Sequence, residues 1–112
     1  MNVGVIGLGK LGCSMLAVFA ASGNNVSGFD LNPKVREKLR KFEPPVSETN
    51  LFEELEKAKE NYKIYDSCLE ILENSEIVYI IVPTPSKNDG TFETKYLENV
   101  LYLFLLIFLK IV

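Results

Sequence analysis

Gly7-Leu8-Gly9-Lys10-Leu11-Gly12 near the amino terminus is a G-x-G-x-x-G string, the pattern by which a strand-to-helix turn brings bare main chain against a diphosphate. Gly7 would make the tight turn out of a strand. The missing side chain at Gly9 would let a pyrophosphate approach the backbone, and Gly12 would let the following helix sit close to the sheet. A helix beginning near Lys10 then presents unpaired N–H groups and the positive end of its dipole to the phosphates. Asp30 follows Gly12 by 18 residues, at the spacing where such a turn is joined by a carboxylate that accepts hydrogen bonds from the adenosine ribose hydroxyls. The same carboxylate repels a 2′-phosphate and Leu31 beside it brings no arginine, so NAD is expected rather than NADP. Lys10 is either a phosphate contact or an exposed charge, and Lys34, four residues past Asp30, is placed to reach the adenosine side. The plain alternative is a tight turn beside a solvated strand end, and the surrounding elements decide against it.

A second group is Val82-Pro83-Thr84-Pro85. It follows an apolar run, and in open α/β sheets ligands bind beyond the carboxyl ends of the strands, where the strand order reverses. Two prolines stiffen the turn, leaving the Thr84 hydroxyl and the local carbonyls of Val82 and Pro83 as its polar groups.

The elements that must hold these residues are legible as alternating strands and helices. Val3 to Ile6 is a short branched run ending in glycine, the pattern of a strand buried on both faces. From Lys10 to Ser22 the period is helical, with Leu11, Met15, Val18 and Ser22 along one stripe and Gly23 placed to end it. Val26 to Phe29 forms a second strand. Asn32 then caps a helix with Pro33 at its first position and Val35, Leu39 and Phe42 on one face. Asn50 and Glu53 have the spacing of a capping box, for a helix running to about Glu60. Tyr62 to Tyr65 is a third strand, Ser67 and Glu70 a second capping box before a short helix, and Ile77 to Val82 the strongest strand signal. A turn at Asn88-Asp89-Gly90 precedes a last helix from about Thr94. The alternation predicts an α/β fold, a partial doubly wound Rossmann-type sheet of about four parallel strands with helices on both faces.

The 112 residues, 47% hydrophobic and 24% charged, fit one domain with one core. A net charge of −3 with no basic cluster makes nucleic acid an unexpected partner. Histidine is absent and the cysteines are two, Cys13 and Cys68, so neither a disulfide framework nor a structural zinc site is expected, and a cytoplasmic setting follows. Both thiols read as packing residues. Val100 to Leu109 carries no charge over ten residues, whereas about 20 are needed to cross a bilayer. Residues 100–112 therefore read as a buried or self-associating apolar helix rather than a membrane span.

The glycine string, Asp30, the Glu43 to Leu55 stretch, and Val82-Pro83-Thr84-Pro85 followed by Asp89-Gly90 and Tyr96-Leu97 resemble the amino-terminal domain of the nucleotide-sugar dehydrogenases. The likeness runs through about Val100. That family oxidises the C6 alcohol of a UDP- or GDP-bound hexose to the carboxylate with two NAD, through a thioester on a cysteine. By the resemblance Leu11, Asp30, Lys34 and Thr84 match NAD-contacting positions. Glu48 matches the glutamate of the family's E-P-G-L loop on the substrate side, although this chain reads Glu48-Thr49-Asn50-Leu51. The family's catalytic cysteine, lysine and nucleotide-sugar domain lie beyond residue 112, so the chain alone is expected to be inactive, meeting a nucleotide sugar only with that domain. Two other readings share the glycine loop: a nucleotide-sensing module dimerising through its last helix, and the first domain of a hydroxyacid or 6-phosphogluconate-type dehydrogenase. The V-P-T-P and D-G turns and the long segment between the second and third strands favour the nucleotide-sugar group.

Overall fold

The computed structural model describes residues 1–81 together with Lys95, Glu98, Asn99, Leu101 and Tyr102. Its elements are β1 (Asn2–Ile6), α1 (Lys10–Ala21), β2 (Asn25–Phe29), α2 (Pro33–Arg40), α3 (Leu51–Ala58), β3 (Tyr62–Ile64), α4 (Cys68–Glu73) and β4 (Ile77–Ile80). The four strands form one parallel sheet in the order β3-β2-β1-β4, the first half of a doubly wound arrangement. Ile6 pairs with Phe29 on one side and Ile80 on the other. The carboxyl ends of the three strands are therefore level, and the order reverses between β1 and β4.

Sequence order explains the layers. Two right-handed crossovers in one direction put α1 and α2 on the same face of the sheet, and the jump from β3 to β4 puts α4 on the opposite face. The larger core joins Val5, Val26 and Ile64 of the sheet to Leu16 and Ala20 of α1, Leu39 of α2 and Leu55 of α3. The smaller one joins Ile6 and Phe29 to Cys68 and Ile71 of α4.

Local chemistry sets the helix ends. The Asn32 side chain accepts from the Lys34 N–H at 3.0 Å, with Pro33 at the first position of α2, and the Ser67 hydroxyl accepts from the Leu69 N–H at 3.2 Å at the start of α4. Gly23, with φ +94°, ends α1 as expected.

Two expectations are corrected. The core face of α1 is Gly12, Cys13, Leu16, Ala17 and Ala20, whereas Leu11 and Val18 of the expected stripe are 62% and 54% exposed. Small residues win that face because they let the helix sit close to the sheet. At α3, Asn50 has φ +62° and its side chain makes no capping bond, so the box with Glu53 does not form. Asparagine tolerates this left-handed conformation, and the turn into α3 uses it. Residues 95, 98, 99, 101 and 102 are helical, as the reading from Thr94 anticipates. The rest of the apolar tail lies outside the described residues. Among the described residues no helix is long and apolar enough to cross a membrane.

Candidate functional site

The loop leaving β1 is held on both sides. The Gly7 N–H donates to the Phe29 carbonyl at 2.8 Å, and the Ile81 N–H donates to the Ile6 carbonyl at 2.7 Å. Within this frame the three motif glycines do different work. Gly7 has φ +98°, a conformation that side-chain-bearing residues rarely adopt. At Gly12 a Cβ would stand 1.8 Å from the Gly7 carbonyl oxygen, so the first turn of α1 rests directly on the loop. Gly9 has an ordinary φ of −75°, and a Cβ there would meet nothing within 4 Å. Among the described residues, neither its φ nor a neighbouring atom calls for a glycine at that position.

The amino end of α1 borders this open cradle. Gly9 supplies no side-chain cap, the first turn carries no acidic residue, and the first helix-closing bond is from the Cys13 N–H to the Gly9 carbonyl at 2.9 Å. The preceding N–H groups of the first turn therefore lack intrahelical partners, with the positive dipole end beside them.

Asp30, half-buried at the end of β2, accepts from the Leu8 N–H at 2.7 Å through Oδ2 and from the Asn32 N–H at 2.8 Å through Oδ1. A carboxylate has about four acceptor positions, so these two bonds orient it and leave capacity for hydroxyl donors. Leu8 has a fully buried side chain and an N–H committed to Asp30, so it shapes the loop from beneath. Leu11 stands exposed in the first turn of α1, Leu31 is 66% exposed just past Asp30, and Lys34 lies exposed in the first turn of α2.

Two residues that sequence reasoning treats separately come together: Lys10 Nζ lies 3.4 Å from Glu48 Oε2, with both residues exposed at the surface. The loop before α3 thus comes within ion-pair reach of the first residue of α1. Val82, Pro83 and Thr84 lie outside the described residues, as do Asp89-Gly90 and Tyr96-Leu97.

Sequence reasoning missed Arg36 and Asp66. Arg36 Nη1 donates to the Asp30 carbonyl at 2.8 Å, its Nε donates to Asp66 Oδ1 at 3.0 Å, and Arg40 Nη2 donates to the same oxygen at 2.8 Å. The Arg40 and Arg36 guanidinium groups hold the Asp66 carboxyl below its ordinary range. A folded-state value below the unfolded one means that this contribution to stability is complete above the unfolded value, about 3.9, and fades as pH falls through the lower folded value. We expect Asp66→Asn to be less stable than the parent at pH 7 and to converge with it in strong acid, read by urea denaturation at both pH values. A gap of constant size would show that the ion pairs are not its source.

Neither cysteine has the setting of a reactive thiol. Both are buried, and burial pushes the Cys13 thiol up to about 12 and the Cys68 thiol upward as well, far from the depressed range of reactive thiols. Among the described residues no three His, Cys, Asp or Glu groups converge to hold a metal ion.

Residues 1–104 match the model of the NAD-binding domain of the UDP-glucose/GDP-mannose dehydrogenase family. The chain is 28% identical over 102 residues to GDP-mannose 6-dehydrogenase of Pseudomonas savastanoi pv. phaseolicola, covering 89% of this chain and 23% of that protein. It is 33% identical over 101 residues to UDP-glucose 6-dehydrogenase of Rickettsia felis, covering 88% of this chain and 22% of the relative. A solved UDP-glucose dehydrogenase from Pyrobaculum islandicum superposes with a TM-score of 0.88 at 30% identity, over 92% of this chain and 24% of that one. The chain thus spans less than a quarter of the length of these relatives.

Proposed function

Since the chain belongs to the UDP-glucose/GDP-mannose dehydrogenase family, we propose that it supplies the cofactor side of an oxidation of the C6 alcohol of a UDP- or GDP-hexose to the carboxylate. NAD is the cofactor of the domain. In the proposed arrangement its diphosphate lies in the cradle above Gly9, facing the N–H groups of the first turn of α1. Asp30 accepts from the adenosine ribose hydroxyls, Lys34 stands on the adenosine side, and the exposed Leu11 and Leu31 give the adenine apolar surface. NAD supplies the hydride acceptor when bound; the residues of this chain bind and orient it. The catalytic thiolate and the nucleotide-sugar site belong outside residues 1–112, in keeping with two buried, protonated cysteines here. Glu48, paired with Lys10 at the start of α1, is the residue proposed to face the sugar.

The observation that carries this reading is the space at Gly9. Among the described residues nothing comes within 4 Å of a Cβ placed there, and it adjoins an uncapped helix end that favours an anion. Calorimetric titration tests it. NAD is expected to bind saturably, and NADP at least about tenfold more weakly, a difference of about 1.4 kcal/mol, because the Asp30 carboxylate opposes a 2′-phosphate. No saturable heat with NAD at millimolar concentration would remove the reading, and equal affinity for NADP would remove the role given to Asp30.

A further inference from the structure

Arg36 sits where the helical period makes it one of several charges on α2, yet its side chain is only 16% exposed. Its Nη1 donates to two consecutive carbonyls of the turn after β2, Asp30 at 2.8 Å and Leu31 at 3.2 Å, while Nε holds Asp66 Oδ1 at 3.0 Å. Its guanidinium carbon lies 5.5 Å from the centroid of the Phe29 ring, within cation–π range. Arg40 holds the same Asp66 oxygen and also donates to the Ile64 carbonyl at 3.0 Å. Asp30 in turn holds the Leu8 N–H. These bonds form one polar chain across the carboxyl ends of β3, β2 and β1, from Ile64 and Asp66 through Arg36 to Asp30 and the glycine loop.

Resting on the NAD reading above, we propose that Arg36 is a positioning residue for the ribose-binding carboxylate, and that by fixing Asp30 it sets the preference for NAD over NADP. A carboxylate discriminates between a hydroxyl pair and a 2′-phosphate only if it is held where that phosphate must go. Its side chain can swing with the peptide that carries it unless the carbonyls of that turn are fixed. A guanidinium with a planar fork of donors can serve two carbonyls and a carboxylate at once, which an ammonium cannot do in the same geometry. The same bonds commit the guanidinium of Arg36 to the protein, so the cation nearest the Asp30 turn is withheld from a 2′-phosphate.

The test uses the 112-residue chain with Arg36→Met, Arg36→Lys and, as a control in the same cluster, Arg40→Met. Two quantities are read: the NADP-to-NAD ratio of Kd values by calorimetry, and amide hydrogen exchange at Leu8 and Asn32 without ligand. Arg36→Met is expected to weaken NAD about tenfold while weakening NADP less, so the ratio falls, and exchange at both amides rises. Arg36→Lys should recover only part of each effect. Arg40→Met should lower the unfolding midpoint and leave ratio and exchange unchanged. A wild-type chain that does not bind NAD overturns the cofactor reading together with this inference. A wild type that binds NAD, with Arg36→Met keeping the same ratio and the same exchange, overturns the positioning role alone.

Discussion

Gly9→Val folds like the parent chain and no longer binds NAD: this is the sharpest expectation the glycine loop provides. The φ of −75° at Gly9 is open to any residue, and among the described residues nothing lies within 4 Å of a Cβ there, so the valine side chain starts out into open space. Losing a glycine helix cap is unfavourable, while restricting the unfolded chain is favourable. The two offset to within about 1 kcal/mol. The ligand has no such freedom, since the two methyl groups would stand where the diphosphate approaches the first turn of α1 and the phosphates have no equivalent set of N–H donors elsewhere in the loop. We expect the urea midpoint to move little and NAD affinity to fall by at least about 100-fold, close to 3 kcal/mol. Measuring both on the same preparation matters, because the claim is their separation. A Gly9→Val chain that binds NAD like the parent would place the diphosphate somewhere else.

That separation also shows what was readable in the sequence and what was not. The glycine turn, Asp30, the four parallel strands and the Asn32-Pro33 helix start could be read because each rests on chemistry within a few residues, or on a spacing the backbone itself enforces. The packing face of α1 differs from the expected stripe because Leu11, Met15 and Val18 form a helical stripe of their own. The true face sets Leu16 among Gly12, Cys13, Ala17 and Ala20, and the small residues let the helix lie close to the sheet. At Asn50 the residue type was informative but ambiguous, since asparagine serves both a helix cap and a left-handed turn. Arg36 could not be found at all: its acceptors are main-chain carbonyls five and six residues upstream and Asp66, 30 residues downstream. Only the pairing of β2 with β3 brings these groups to one place. The Lys10–Glu48 contact is of the same kind, two exposed charges 38 positions apart whose proximity depends on the path of the chain before α3.

Gly12→Ala is the opposite case and carries the largest stability effect expected in the chain. The added methyl would lie 1.8 Å from the Gly7 carbonyl oxygen and 2.9 Å from its carbon, both main-chain atoms. That carbonyl cannot rotate aside cheaply. Gly7 is at φ +98°, its N–H is bonded to Phe29, and the preceding Ile6 carbonyl is bonded to Ile81. Relief must come from lifting α1 off the loop, which breaks contacts of Leu16, Ala17 and Ala20 with the sheet, all of them fully or almost fully buried. Overpacking a rigid contact costs about 1–3 kcal/mol or more, and with backbone on both sides we expect about 3 kcal/mol, a large share of the 5–15 kcal/mol that holds a domain of this kind together. Urea denaturation followed by circular dichroism reads it directly. Saturating NAD should restore only part of the loss, because the lifted helix end is the one proposed to hold the phosphates. Should Gly12→Ala prove as stable as the parent, α1 would not rest on the Gly7 carbonyl, and the close approach that shapes the whole cradle would have to be abandoned.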